Sequence, residues 1–209
     1  MNSNIARKTA GLFIVVSAPS GAGKTSIVRR VLEKCPNVLY SISYTTRPPR
    51  RGEADGKDYY FITEEDFRDR IARGEFAEWE EYSGYLYGTS VKTMKAFLEK
   101  GFDLILDIDP RGAGVLKKHY PGGIFVFILP PSMDELKRRL NGRGSDSREE
   151  MKVRLNRAFD EIREVAWYDY VIFNDELKSA VDLLISIYVA EKHKRERVTE
   201  RINDFLCMK

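Results

Sequence analysis

The stretch from Leu12 to Thr25, LFIVVSAPSGAGKT, constrains the fold of this chain more than any other part of the sequence. It begins with a short apolar run, typical of a strand buried on both faces. A glycine-containing loop follows, and the next segment, SIVRRVLEK, has apolar residues at a helical spacing. A strand, a glycine turn and a helix N-terminus together favour bound phosphate, because backbone N–H groups and the helix dipole both attract negative charge. We therefore predict a phosphate-binding loop here.

The loop matches the usual G-x-x-x-x-G-K-[ST] pattern except at its first glycine, which is replaced. In that pattern the lysine reaches the β- and γ-phosphates, and the hydroxyl group binds Mg²⁺. The plainer interpretation, a glycine-rich turn whose lysine faces solvent, is disfavoured because strand, loop, Lys-Thr pair and helix occur in order. The predicted phosphate-binding residues of the loop, which would hold ATP or another nucleoside triphosphate, are Ala18, Pro19, Ser20, Gly21, Ala22, Gly23, Lys24 and Thr25, with Thr25 as the Mg²⁺ ligand.

The rest of the chain alternates between strand and helix patterns. Apolar runs predict buried strands at 12–16, 103–108, 124–129 and 170–173. Helical patterns occupy about 26–34, 91–100, 111–119, 132–141, 148–164 and 176–192. This alternation predicts an α/β fold in which helices cover both faces of a parallel sheet.

Residues 41–89 interrupt the alternation with a segment richer in Tyr, Thr, Gly and charge. Its strand-like pieces lie at 59–63, 75–82 and 85–88, with a short helix at about 64–73. The dipeptide Ser83-Gly84 predicts a hairpin turn. We therefore expect a small mixed β insertion between the first and second core strands. Residues 141–147, NGRGSDS, predict a second, shorter departure, a mobile loop between arginine-bearing helical segments.

Composition excludes several classes of protein. The 209 residues are 43% hydrophobic and 32% charged, and no segment approaches the length of a membrane span. The start, MNSNIARKTAG, lacks the apolar region of a secretory signal. Cys35 and Cys207 are far apart and have no metal-ligand spacing, so we expect reduced thiols in the cytoplasm. A net charge of +3 gives no reason to expect nucleic-acid binding.

Several further motifs follow the phosphate loop in a fixed order. They are SYTTRPPRRGEADGKDY at 43–59, FAEW at 76–79, GYLYGT at 84–89, DID at 107–109 and GRG at 142–144. Together with the phosphate loop, they resemble the guanylate kinases, the nucleoside-monophosphate kinases that phosphorylate GMP. The resemblance extends from about Gly11 to Ala190, nearly the whole chain.

The resemblance implies that the insertion binds GMP. Guanidinium and phenol groups suit a dianionic monophosphate, and the residues that match the family's phosphate contacts are Arg47, Arg50, Tyr59 and Tyr87. Glu78 and Thr89 match the contacts to the base. One carboxylate can accept hydrogen bonds from both N1–H and the N2 amino group of guanine, whereas adenine would present a bare lone pair to it. Further matches near the nucleotide are Ser43, Asp107 and Asp109.

The resemblance also assigns residues to the donor side and to a lid. Asn174 matches a position beside the donor nucleotide, and Arg139, Arg143 and Arg154 match lid residues that close over the phosphates. The implied catalytic residues are Lys24, Arg47, Arg139, Arg143 and Arg154. Asp107 follows a buried strand, where an acid is expected near the Mg²⁺ shell and could bind through water. Other arginines between 138 and 157 alternate with acidic residues, which is typical of a salt-bridged helix face.

These assignments predict one guanylate-kinase-like domain over 11–190. Its core comprises 11–40, 90–137 and 156–190, its GMP-binding insertion 41–89 and its lid about 138–155. Residues 191–209 form a C-terminal helical extension. The run EKHKRERVTERINDF within it reads most simply as a solvated amphipathic helix. A partner-binding or basic nucleic-acid arm is the less favoured alternative.

The implied activity is Mg²⁺-dependent transfer of the γ-phosphoryl group of ATP to GMP in the cytoplasm. GMP and ATP are the expected partners, with no nucleic acid or membrane, and a homo-oligomer stays open. Nothing in the sequence requires the 2′-hydroxyl, so dGMP stays open as a second acceptor. One alternative is a non-catalytic, guanylate-kinase-like interaction module, which the retained Lys24-Thr25 pair and lid arginines disfavour. The other is a kinase for another monophosphate such as AMP, which Glu78 and Thr89 disfavour.

Overall fold

A computed structural model describes residues 10–141 and 148–207, and within them it shows two β-sheets flanked by helices. The strands are β1 Phe13–Ser17, β2 Val38–Tyr40, β3 Tyr44–Thr45, β4 Tyr60–Phe61, β5 Phe76–Tyr82, β6 Tyr85–Ser90, β7 Asp103–Asp107, β8 Ile124–Leu129 and β9 Tyr170–Phe173. The helices are α1 Lys24–Lys34, α2 Glu64–Ala72, α3 Val91–Glu99, α4 Pro110–His119, α5 Met133–Asn141, α6 Arg148–Arg163, α7 Leu177–Lys192 and α8 Thr199–Cys207. A short 3₁₀ helix, Glu164–Trp167, follows α6.

The larger sheet is parallel and has the strand order β2-β7-β1-β8-β9. Its central strand β1 is buried on both faces. Ile14 and Val16 pack into one apolar cluster with α1 and α7, while Phe13 and Val15 pack into another with α3 and α4. Continuous burial explains why this strand is an uninterrupted apolar run. The predicted α/β class and parallel sheet are confirmed.

The topology of the larger sheet places the segments that follow its parallel strands along one edge. Because the strands are parallel, their carboxyl ends all lie along the same edge. The chain reverses direction across the sheet at β1, whose neighbours are β7 and β8. The segments leaving β1, β7 and β9 at this edge begin at Ala18, Ile108 and Asn174. A ligand cleft is expected at such a switch point.

The smaller sheet, with strand order β4-β3-β6-β5, forms the insertion. Strands β5 and β6 pair in antiparallel fashion up to Tyr82 and Tyr85, and the turn between them has positive φ at Ser83 (54°) and Gly84 (79°). Two positive φ angles are what a tight type I′ hairpin turn requires, as the sequence predicts. Helix α2 covers the sheet through Phe67, which is fully buried and stacks on Phe76 with ring centroids 4.4 Å apart.

The structure departs from the sequence prediction in two places. Strands β2 and β3, of three and two residues, were not predicted. They are too short to show a periodicity, and their extended conformation depends on pairing with β7 and β6. The C-terminal run is not one continuous helix, because α7 ends at Lys192 and α8 begins at Thr199.

Across the described ranges, no helix has both the length and the apolar character needed to cross a membrane.

Candidate active site

The loop between β1 and α1 has the backbone of an anion-binding turn. Gly21 and Gly23 have φ angles of 90° and 95°, a region that costs glycine little. No side chain caps the N-terminus of α1, so its first N–H groups can face an anion. A Cβ atom at Gly23 would lie 2.4 Å from Asn174 Nδ2, so crowding also requires glycine there. Ala18 stands at the first glycine position of the pattern and avoids the left-handed region, so its side chain is tolerated.

Two side chains from other parts of the chain donate hydrogen bonds to the backbone of this loop. Asn174, which is 5% exposed just after β9, donates from Nδ2 to the backbone oxygen of Ala22 at 2.7 Å. Arg139 of α5 donates to the same oxygen from Nη1 at 3.3 Å and is also paired with Glu135. The structure therefore places Asn174 and Arg139, both assigned from the resemblance, in contact with the phosphate loop.

Lys24 and Asp107 form an ion pair across the floor of the cleft. Lys24 Nζ also donates to the backbone oxygen of Ile108 at 3.4 Å. Burial lowers the pKa of Lys24, but the ion pair and hydrogen bond with Asp107 outweigh burial, so its pKa lies above the ordinary value. Lys24 therefore carries a full positive charge at neutral pH, and a bound phosphate would compete with Asp107 for that charge.

A cluster of cationic and phenolic side chains lies on the insertion. Arg47, only 7% exposed, donates from Nη2 to Glu53 Oε1 at 2.8 Å. The other oxygen of Glu53 accepts the backbone N–H of Arg50 at 2.7 Å. The Arg47 guanidinium lies 5.4 Å from the ring centroid of Tyr59, and the rings of Tyr59 and Tyr87 meet edge to face at 5.9 Å. The four residues assigned to the acceptor phosphate are therefore neighbours.

Glu53 orients this cluster, and the sequence prediction did not single it out. Its hydrogen bond from Arg47 lowers the pKa of Glu53, and the same bond raises the pKa of Arg47. Both side chains therefore stay charged around neutral pH. The signal that could have identified Glu53 is its place six residues after Arg47, within the segment RPPRRGE.

Glu78 and Thr89 face each other across β5 and β6 and are almost fully buried. The Thr89 hydroxyl donates to Glu78 Oε1 at 2.6 Å. The other oxygen, Oε2, would lie 2.5 Å from a Cβ atom at Gly112, so the carboxylate touches the first turn of α4. Burial raises the pKa of Glu78 to about 7. A buried carboxylate with one hydroxyl donor suits a ligand that supplies further N–H groups.

Asp109 caps α4 and lies near this carboxylate. Its Oδ1 accepts backbone N–H groups from Arg111 at 3.0 Å and Gly112 at 3.2 Å. Burial raises the pKa of Asp109, and the charge of Asp109 in turn helps to raise the pKa of Glu78. Two nearby carboxylates favour a ligand that brings hydrogen-bond donors rather than acceptors.

The phosphate loop and the insertion line one continuous cleft of about 410 Å³. The predicted residues along its wall are Ala18, Pro19, Ser20, Gly21, Gly23, Lys24, Thr25, Ser43, Arg47, Arg50, Tyr59, Glu78, Tyr87, Asp107 and Asp109. Ala22 and Thr89 are buried behind it. Arg154 is half-buried on α6, and like Arg139 it is not part of the wall. Arg143 and the GRG motif lie outside the described residues.

Glu161 of α6 also lines the cleft, and the sequence prediction missed it. Its Oε2 accepts the backbone N–H of Ser20 in the phosphate loop at 3.3 Å. Burial raises the pKa of Glu161. On the sequence, Glu161 belongs to a helix with alternating charges, which predicts only a solvated face. The contact depends on the tertiary approach of α6 to the loop, so no local pattern could have revealed it.

The side chains that line the cleft include few potential metal ligands. No group of three or more His, Cys, Asp or Glu side chains suited to a metal occurs in 10–141 or 148–207. Thr25 and Asp107 do line the same cleft. A hydroxyl and one carboxylate fit Mg²⁺, which keeps several waters and takes further oxygens from substrate phosphates.

Comparison with known proteins gives consistent matches over most of the chain. The family model described as guanylate kinase matches residues 11–191. A guanylate kinase of Syntrophus aciditrophicus is 57% identical over 200 residues, covering 96% of each chain. One of Geobacter metallireducens is 50% identical, covering 94% of this chain and 97% of the relative. The crystal structure of guanylate kinase from Anaplasma phagocytophilum superimposes with a TM-score of 0.75 at 33% identity, covering 93% of this chain and 97% of that chain.

Proposed function

The chain belongs to the guanylate kinase family, and we propose that it transfers the γ-phosphoryl group of ATP to GMP, giving ADP and GDP. The observation that carries this proposal is the shared cleft. A phosphate loop lies on one wall, and a buried carboxylate beside an arginine–tyrosine cluster lies on the other. Such an arrangement is suited to bring a triphosphate and a purine monophosphate together.

On the donor side, we propose that residues 18–25 bind the ATP phosphates through backbone N–H groups, with Asn174 supporting the loop. Lys24 would exchange its ion pair with Asp107 for contacts to the β- and γ-phosphates. The Thr25 hydroxyl, with Asp107 through water, would hold Mg²⁺. When bound, that ion neutralises phosphate oxygens and fixes their orientation.

On the acceptor side, we propose that Arg47, Arg50, Tyr59 and Tyr87 bind the phosphate of GMP. Arg47 is already oriented by Glu53, which reduces the entropy lost when the phosphate binds. Glu53 accepts from Nη2 of Arg47, and the ring of Tyr59 lies beside the guanidinium. Ser43 and Asp109 complete the wall of the site.

Base selection follows from the Glu78–Thr89 pair. The ionised carboxylate can accept N1–H and the N2 amino group of guanine, while the Thr89 hydroxyl turns to O6. Adenine would leave the buried carboxylate facing a lone pair, which costs several kcal/mol. Nothing in the sequence requires the 2′-hydroxyl of the acceptor, so we include dGMP as a second acceptor.

Chemistry at this site needs alignment and charge neutralisation rather than a covalent intermediate. Phosphoryl transfer passes through a loose transition state whose charge lies on the equatorial oxygens. We assign that neutralisation to Lys24, Arg47, Arg139, Arg143 and Arg154.

In this scheme the core of the domain comprises 11–40, 90–137 and 156–190. The insertion, 41–89, binds GMP, and the lid, about 138–155, closes over the phosphates. Residues 191–209 form a C-terminal extension. ATP and GMP are cytoplasmic metabolites, so we place the enzyme in the cytoplasm.

A non-catalytic interaction module is disfavoured by the family matches and by the Lys24-Thr25 pair that the phosphate loop retains. Lys24, Thr25 and the loop geometry would have no role in a domain that only binds a protein partner.

The activity can be tested by measuring ADP release with Mg²⁺, ATP and each of GMP, dGMP, AMP, CMP and UMP. We expect rapid turnover with GMP, turnover with dGMP, and none above background with AMP. Folded protein without GMP turnover would contradict the proposal and favour the interaction module. Preferred turnover of AMP would contradict the role given to Glu78.

A further inference from the structure

Arg157 connects helix α6 to the tip of the hairpin in the insertion. Its Nη1 donates to the Ser83 hydroxyl at 3.1 Å. Its guanidinium carbon lies 3.5 Å from the ring centroid of Tyr82, a close stacking distance for a cation on an aromatic face. Tyr82 is the last residue of β5 and Ser83 begins the turn to β6, and these two strands carry Glu78 and Thr89. This contact therefore joins α6 to the acceptor-binding insertion.

Arg157 is linked in turn to the phosphate loop. Its Nε lies 3.5 Å from Oε1 of Glu161, one helical turn further along α6. The second oxygen of Glu161 accepts the backbone N–H of Ser20 at 3.3 Å. The side chain of Glu161 is 12% exposed and that of Arg157 is 35% exposed, so solvent screens this path less than a surface pair. A continuous path runs from the hairpin turn through Arg157 and Glu161 to the donor loop.

A second arginine on the same helix shows what an ordinary surface pair looks like. Arg163 pairs with Asp160 three residues earlier at 3.3 Å, and its side chain is 80% exposed. Such pairs contribute little to stability or geometry. Arg157 differs because its partners, Tyr82 and Ser83, are more than 70 residues away in sequence. The tertiary structure therefore distinguishes it from the salt-bridged helix face that the sequence predicts.

We propose that Arg157 and Glu161 are positioning residues that hold the acceptor-binding insertion against the phosphate loop, so that each nucleotide strengthens binding of the other. This inference rests on the proposed function. A contact made in one arrangement of the insertion shifts the population toward that arrangement. Glu161 fixes the loop at Ser20 while Arg157 fixes the hairpin, so ordering of one wall of the cleft favours ordering of the other. By linkage the effect is reciprocal between ATP and GMP.

The test is calorimetric titration of GMP into full-length protein, without and with a saturating non-hydrolysable ATP analogue and Mg²⁺. We expect the analogue to lower the Kd for GMP by about fivefold or more in the unmodified protein, a typical size for coupling between sites. Arg157→Ala should bring this ratio close to one, and Arg157→Lys, which keeps charge but not planar stacking, should restore it in part. Arg163→Ala is the matched control and should leave the ratio unchanged.

Steady-state kinetics supply a readout that a merely structural role would not change. If Arg157 positions the insertion, Arg157→Ala lowers kcat/KM for GMP at saturating ATP more than it weakens GMP binding to the free protein. An unchanged ratio of GMP affinities in Arg157→Ala would overturn the inference, as would no coupling in the unmodified protein or equal loss of coupling in Arg163→Ala. If Arg157→Ala does not fold, Tyr82→Leu removes the other half of the contact and must show the same loss. Failure of the unmodified protein to turn over GMP would instead refute the proposed function.

Discussion

The two walls of the cleft present their polar groups in different ways. The donor wall is largely backbone, because two glycines with positive φ, Gly21 and Gly23, lead into the uncapped N-terminus of α1, and Lys24 adds one charge. The acceptor wall is built from side chains, among them the Arg47–Glu53 and Glu78–Thr89 pairs. The donor wall occupies one short segment of sequence, whereas the acceptor wall draws on residues from 43 to 109.

This difference has consequences for specificity and for pH dependence. Backbone N–H groups recognise phosphate whatever base is attached, and they do not titrate. A buried carboxylate distinguishes one base from another, but its charge depends on pH because burial raises its pKa. We therefore expect changes in the donor wall to affect the rate of transfer, and changes in the acceptor wall to affect the choice and affinity of the acceptor.

The largest effect is expected for Lys24→Ala on the donor wall. Lys24 is the charged group of the phosphate loop, and its removal leaves the developing charge on the transferred phosphoryl group without a cation. We expect kcat to fall roughly 100- to 1000-fold, the size seen when one preorganised electrostatic contact is removed, while GMP binding stays largely intact. Initial rates and GMP titration would measure the two effects separately.

Lys34→Ala is the matched control for this change, because Lys34 lies at the other end of α1 and is half exposed beside Asp182. It should leave kcat within about twofold of the unmodified value, since exposed pairs contribute little. Equal activity of Lys24→Ala and the unmodified protein would remove Lys24 from the mechanism.

A smaller but more selective effect is expected for Glu78→Gln on the acceptor wall. The amide has one acceptor oxygen and an NH₂ group, so one guanine donor would face another donor. We expect KM for GMP to rise roughly 10- to 100-fold, because a buried hydrogen bond to a charged group is lost, while KM for ATP changes little. Glu81→Gln, on the exposed side of the same strand, serves as the control. A GMP KM that stays constant in Glu78→Gln would exclude Glu78 from the base site.

The smallest effect is expected for pH, which should change GMP binding at the acceptor wall more than ATP binding at the donor wall. Burial raises the pKa of Glu78 to about 7, so a falling fraction of the free protein carries the ionised form as pH drops below that value. We expect KM for GMP to rise toward tenfold per pH unit at the acid limit, whereas KM for ATP should follow a shallower course. The GMP phosphate also titrates, but it does so equally in assays of Glu78→Gln. The ratio of the KM values of the two proteins at each pH therefore isolates the titration of Glu78. Parallel pH profiles of the two proteins would contradict the assignment.

The raised pKa of Glu78 has the opposite consequence for the stability of the unliganded protein, because lowering the pH stabilises the fold while it weakens GMP binding. A raised pKa in the folded state means that neutral Glu78 stabilises the fold below its ordinary pKa of 4.5. That contribution is lost as pH rises through about 7. The stability of the unmodified protein relative to Glu78→Gln should therefore decline between these two pH values, which urea denaturation at several pH values would detect.

Those elements of the molecule that have a local sequence pattern could be predicted from the sequence. The strands Ile124–Leu129 and Tyr170–Phe173 were predicted at their observed bounds from their apolar runs. Of the two, Ile124–Leu129 is buried almost throughout, whereas Val171 and Phe173 of the edge strand β9 are 44% and 54% exposed, contrary to the predicted burial. The Ser83-Gly84 turn was predicted because few residue pairs accept two positive φ angles. The family motifs then supplied the residues that we propose bind the acceptor, which lie apart in sequence and have no shared periodicity.

The donor wall follows from local sequence, since its glycine positions, lysine and helix start are set within one segment of the chain by local sterics and dipoles. The contacts that hold this wall in place depend on tertiary packing. The contacts of Asn174 with Ala22, of Glu161 with Ser20 and of Arg157 with Ser83 join residues more than 70 positions apart. No local pattern encodes such contacts, because they arise from the packing of separate elements at the carboxyl edge of the sheet. The phosphate loop is therefore a local feature whose position relative to the acceptor is a property of the whole fold.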